Sequence, residues 1–100
     1  MIIVPSLFVL QSEDQDISLA EAFSGDELVV LVVVDRNKLA ARFEESIQRL
    51  EKRAAGISSL LRSRGVACRT LFEWGDVTES VSNTVAREDA VLLNKPDEII

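Results

Sequence analysis

Few side chains in this chain could do covalent or acid–base chemistry. Ser6 and the single cysteine, Cys68, are the nucleophile candidates, and Asp35 and Asp76 are the acids that fall beside expected strand ends. A hydroxyl or thiol needs a neighbouring base to become a useful nucleophile. The sequence contains no histidine, which removes the commonest general base and the commonest metal ligand. One cysteine cannot make an intrachain disulfide or a multi-cysteine metal site. Cys68 lies in an expected strand, where a small buried hydrophobe fits better than a reactive thiol. Asp35 and Asp76 each precede an expected helix, where a carboxylate serves as a cap. Lys38 and Lys95 read as solvated charges. Trp74, the only tryptophan, reads as a cover over the outer edge of a sheet. The sequence therefore points to a non-enzyme, with no catalytic residue and no metal.

The bulk numbers narrow the partners. Seventeen acidic and 11 basic residues leave a formal net charge of −6. A nucleic-acid or anionic-membrane binder needs a basic footprint, so neither partner is expected. A chain of 100 residues suggests one domain, residues 1–100. Met1-Ile2-Ile3-Val4-Pro5 lacks the basic start of a signal peptide, so the expected location is cytoplasmic.

The elements that must position any site are easier to read. Leu28 to Val34 is an unbroken apolar run, mostly β-branched. It is far shorter than the roughly 20 residues of a membrane span. It does not alternate, as a strand with one wet face would. That pattern predicts a strand covered on both faces, as in a parallel sheet flanked by helices. Before it, Ile2–Val4 predicts a strand start, resuming over Leu7–Leu10, with Pro5 as an end or bulge. Gln11–Asp16 predicts a surface loop. Ile17–Phe23 predicts a short helix, capped by Asp16, with Leu19, Ala20 and Phe23 on one face and Gly25 as its left-handed stop. After it, Leu39, Phe43, Ile47, Leu50, Ala54, Ile57 and Leu61 recur at helical spacing. They predict an amphipathic helix over Lys38–Arg64, closed by Gly65. Gly56 inside it suggests a close approach to the sheet. Val66–Trp74 predicts an outer strand. Asp76, with Glu79 three residues on, predicts a capped helix to about Arg87. Ala90–Leu93 predicts a short strand ended by Asn94-Lys95-Pro96.

The resulting order, β-α-β-α-β-α-β, is that of an open parallel sheet of about four strands with helices on both faces. This Rossmann-like α/β class predicts the strand order 3-2-1-4. Ligands in such sheets lie at the carboxyl ends of the strands, where the order reverses. Here that place falls between the first and fourth strands, near Pro5, Ser6, Asp35 and Asn94.

Four stretches resemble the universal stress protein family, within the adenine-nucleotide α-hydrolase-like folds. Ile2-Ile3-Val4-Pro5 resembles its first strand, which ends in a proline. Leu28–Asp35 resembles the second strand and its exit. Leu60–Asp76 resembles the end of the second helix, the third strand and the turn. Glu88-Asp89-Ala90-Val91-Leu92-Leu93 resembles the fourth strand with an acidic lead-in.

The resemblance implies a stress-response-type role and, in nucleotide-binding relatives, a site for ATP. By this resemblance and by strand-end position, Pro5, Ser6, Val33 and Asp35 are the candidate binding residues. Only Pro5 and Val33 match nucleotide-contacting positions, and strand packing accounts for both. Ser6 and Leu7 stand where such relatives carry an aspartate. Asn94-Lys95-Pro96 stands where their phosphate-cradling glycine pattern begins. No cofactor is expected, and an adenine nucleotide such as ATP or AMP is the alternative. The sequence reaches Ile100 without the family's fourth helix and fifth strand, and that fifth strand commonly mediates dimerisation. An open edge near Ala90, Leu93 and Ile99 is therefore expected to pair two copies of the chain.

Overall fold

The computed structural model describes residues 3–34 and 43–94. The expectations for Asp35, Lys38, Leu39, Lys95, Pro96 and Ile99 fall outside these residues. Four strands and three helices alternate: β1 (Ser6–Leu10), α1 (Ser18–Glu21), β2 (Glu27–Val34), α2 (Phe43–Ser63), β3 (Ala67–Trp74), α3 (Val77–Glu88) and β4 (Val91–Leu92). They form one parallel sheet in the order β3-β2-β1-β4. This is the Rossmann-like α/β arrangement with the expected 3-2-1-4 order. Among the described residues no helix is long and apolar enough to cross a membrane.

β2 is covered on both faces, which explains its lack of alternation. Leu28, Val30, Val32 and Val34 join Phe8 and Leu10 beneath Ala20 of α1 and Leu50, Ala54, Ile57 and Leu61 of α2. Val29, Leu31 and Val33 join Leu7 and Val9 beneath Val77 and Val81 of α3. Each large aliphatic side chain buried this way contributes about 1.5–3 kcal/mol. The two connections that step outward, β1 to β2 and β2 to β3, carry helices on one face. The connection that steps back, β3 to β4, carries its helix on the other. Reversing both direction and face keeps every crossover the same hand, as parallel βαβ units require.

Local signals account for most element ends. The Asp76 carboxylate accepts the Glu79 N–H at 2.9 Å and caps α3. Asp89, in the left-handed region with φ 52°, closes it. Gly65 has φ 81° just beyond α2, where a side chain would be strained. Thr84 is buried and donates its hydroxyl to the Ser80 carbonyl at 2.8 Å, one turn back along α3.

Several expectations need correction. β1 begins at Ser6, so Pro5 precedes the strand and does not end it. Proline has no N–H for the ladder, but its carbonyl still accepts the Val91 N–H at 2.9 Å. Ile3 and Val4 lie outside the strand, 56% and 50% exposed. α1 spans four residues only, with Ile17 at its N-cap position. Asp16 instead accepts the Ser18 N–H and hydroxyl in a turn just before the helix. Leu19 is exposed, leaving Ala20 as the buried residue of that helix. Gly25 is not left-handed. A Cβ there would lie 2.6 Å from Phe23 Cζ, so a side chain at this position requires the aromatic ring to move. Gly56 is on the solvent face of α2, where an added Cβ would meet nothing within 4 Å. It makes no close approach to the sheet.

Candidate functional site at the carboxyl end of the sheet

β1 leads out toward α1 on one face of the sheet, while α3 reaches β4 from the other. The carboxyl ends of β1 and β4 therefore form the switch point where this class of fold places its ligands. On the β4 side of β1, the backbone groups of Val9 are taken up by the chain's own amides. β4 pairs with β1 only over Ser6↔Val91 and Leu7↔Leu92. The Leu93 N–H then bonds the Leu7 carbonyl at 2.7 Å. Further along β1, the Asn94 side chain takes over from the strand. Its Oδ1 accepts the Val9 N–H at 2.8 Å, and its Nδ2 donates to the Val9 carbonyl at 3.0 Å. The side-chain amide thus presents the donor and acceptor of one more peptide unit.

A second amide completes the closure from the loop after β1. Gln15 Nε2 donates to the same Val9 carbonyl at 2.7 Å, and Gln15 Oε1 accepts the Gln11 N–H at 2.9 Å. Val9 O therefore receives two donors, the full capacity of a carbonyl. Two atoms of this loop, Gln11 Oε1 and Glu13 Oε2, are buried without a hydrogen-bond partner.

The structure describes three of the four sequence candidates, and Val33 lies apart from Pro5 and Ser6. Val33 is near the carboxyl end of β2, 1% exposed, with its side chain in the α3-side core. Ser6 pairs with Leu28, five positions before Val33 on β2. At about 3.3 Å per residue, that separates them by roughly 16 Å along the sheet. Pro5 and Ser6 thus lie at the amino end, because the strand starts after the proline. Asp35 falls outside the described residues. Asn94 is at the expected end. The sequence marks Gln11 and Gln15 only as part of a polar run directly after a strand, a surface-loop signal.

Two open clefts lie at this end of the sheet, one against the loop after β1 and one at β3, two strands from β1. One, of about 470 Å³, is lined by Glu13, Asp14, Arg49, Lys52 and Arg53, between the loop after β1 and α2. Arg49 bonds Glu13 Oε1 at 2.9 Å, and Arg53 donates to the Glu13 carbonyl at 2.7 Å. The bond from Arg49 to Glu13 also raises the Arg49 pKa. These cations hold the loop in place. In the same loop the Ser12 hydroxyl lowers the Asp14 pKa, and the Ser18 hydroxyl lowers that of Asp16. The second cleft, of about 300 Å³, lies at the carboxyl end of β3 against α3. Asp76 lines it with its carboxylate already committed to the helix cap.

The chemistry on offer is weak. Cys68 is 3% exposed, and burial pushes its thiol pKa up, away from the nucleophilic thiolate. Among the described residues no group of three or more Cys, Asp or Glu side chains could hold a metal ion. No protein-family model, curated protein or solved structure matches this chain.

Proposed function

We propose that the chain is a non-catalytic binding module that acts by self-association or by engaging a partner protein through an open edge of its sheet. The observation that carries this reading is the closure of the switch point by Asn94 and Gln15 on Val9. The backbone groups of Val9, next to the end of β1, are occupied by the chain itself. The resemblance to universal stress proteins supplies the stress-response setting of the proposal, with a degenerate nucleotide site. The cytoplasm suits it.

The sheet has an edge at each side, β3 and β4. At β4, Val91 and Leu93 point their N–H groups inward to β1. Alternation turns those of Leu92 outward, and Val91 is 60% exposed. A homodimer joined near Ala90 and Leu93 would use these groups. No nucleic acid or membrane surface takes part in the proposed function.

A second reading is an adenine-nucleotide-binding regulatory domain with a reduced site. It is favoured by the unpartnered Gln11 Oε1 at the rim, an acceptor that a ligand N–H could satisfy. Thermal shift with ATP, AMP and cyclic nucleotides separates the two. No shift is expected, and a saturable stabilisation by any of them favours the second reading.

A further inference from the structure

We infer that β3 is a self-pairing edge, where two copies of the chain join antiparallel about a two-fold axis at Leu71 to form one continuous sheet. This rests on the self-association reading above, but places the contact at the edge opposite β4 and names the partner and the register. β3 is eight residues long against two for β4, and β2 covers only one of its sides. The Gly75 N–H bonds the Val34 carbonyl at 2.9 Å. By strand alternation the odd-numbered residues of β3 turn their peptide groups to β2, and Thr70 and Phe72 turn theirs outward. Beside them, Phe72 and Trp74 expose 42% and 52% of their surface. Long, exposed, aromatic edges are the ones that recruit another strand.

The side chains select the partner and the register. In a regular antiparallel pair, opposed residues either both face across or both face away. The axis must therefore pass at a residue and not between two. At Leu71 it sets Arg69 against the partner's Glu73, and Glu73 against the partner's Arg69. Moved to Thr70, it sets Arg69 against leucine and Glu73 against alanine. Moved to Phe72, it sets Arg69 against glycine and Glu73 against leucine. Only the Leu71 axis is charge-complementary, and it is so twice. These are also the non-hydrogen-bonded positions, where opposed side chains come closest. The hydrogen-bonded positions pair Thr70 with the partner's Phe72, a β-branched residue against an aromatic one.

The present partners of these charges do not stand in the way. Arg69 contacts Glu27 and Glu88, and Glu73 contacts Arg87, all at partly exposed positions where ion pairs exchange readily. Arg62 Nη2 donates to the Cys68 carbonyl at 3.1 Å, so the new ladder centres on Thr70–Phe72.

Charge reversal tests the register by size-exclusion chromatography with light scattering. The unmodified chain is expected to be a dimer, with Trp74 emission shifting to the blue as concentration rises. Arg69→Glu alone and Glu73→Arg alone should each lose the dimer. Mixed one to one, they should recover it, because each chain then opposes its partner with the opposite charge at both positions. The double variant should recover it by itself. Circular dichroism checks that each variant is folded. Should the variants not fold, the fluorescence of the unmodified chain still decides. A dimer with unchanged Trp74 emission overturns the β3 edge. Single variants that stay dimeric, or monomeric variants with no rescue, overturn the register while leaving self-association standing. A monomer at every concentration overturns both.

Discussion

Asn94 binds the peptide unit of Val9 through both halves of its side-chain amide, across 85 positions of sequence. β4 itself supplies two residues to the sheet, so this amide extends the pairing with β1 beyond the strand. Replacing it leaves the Val9 N–H without a partner, while the Val9 carbonyl keeps Gln15. Asn94→Ala should therefore cost about 1–3 kcal/mol. Gln15→Ala in turn leaves the Gln11 N–H without a partner while Asn94 still serves the Val9 carbonyl, so it should cost about as much. Chemical denaturation of both variants measures the two costs, and a variant as stable as the unmodified chain would show that its amide does not hold β1 in this way.

The same substitution should have opposite signs at two glycines that bracket the second half of α2. Gly56 is in the helix with open space around it, so Gly56→Ala should stabilise by roughly 0.5–1 kcal/mol through the entropy of the unfolded chain. Gly65 has φ 81°, so Gly65→Ala should destabilise by about 1–2 kcal/mol. Thermal unfolding of the pair checks the contrast.

Acid should release one identifiable ion pair. A hydrogen bond from Arg69, at 2.7 Å, holds the Glu88 carboxyl below the ordinary glutamate value. A lowered folded-state value means that the folded protein binds fewer protons than the unfolded chain. This contribution to stability is whole above the ordinary glutamate range and is lost as pH falls through the lowered value. Arg69→Gln should lower Tm at neutral pH, and its deficit against the unmodified chain should shrink in acid. A scan of Tm from about pH 7 to about pH 3 reads this directly.

Cys68 should resist alkylation in the folded chain. Its thiol is buried and its pKa raised, so reaction with iodoacetamide at neutral pH should be slow and accelerate with urea. Rapid labelling without denaturant would contradict the burial.

The fold was legible in the sequence where one element carried its own constraint. β2 could lack alternation only if both faces were covered, and that required neighbours and two helical layers. The helical spacing from Ile47 to Leu61 and the Asp76–Glu79 cap were equally local signals. The site was less legible. Pro5 can end a strand or precede one, and the choice depends on which neighbour donates to its carbonyl. Asn94 could be recognised as a strand end. Its bond to Val9 depends on a tertiary juxtaposition that no local pattern encodes. Gly25 is a similar case, since a side chain there would have to displace the Phe23 ring beside it.

The sheet divides the interior into two layers that meet only through the backbone of its strands. Leu50 of α2 lies in one and Val81 of α3 in the other, each close to fully buried. Energetic damage in one layer should then pass unnoticed by the other. A double-mutant cycle of Leu50→Ala and Val81→Ala should give a coupling near zero, within about 0.5 kcal/mol. A cycle within one layer, Leu50→Ala with Ile57→Val, should not add so simply. The protein would then tolerate variation in its two layers independently, and α3 could be redesigned without retuning α2.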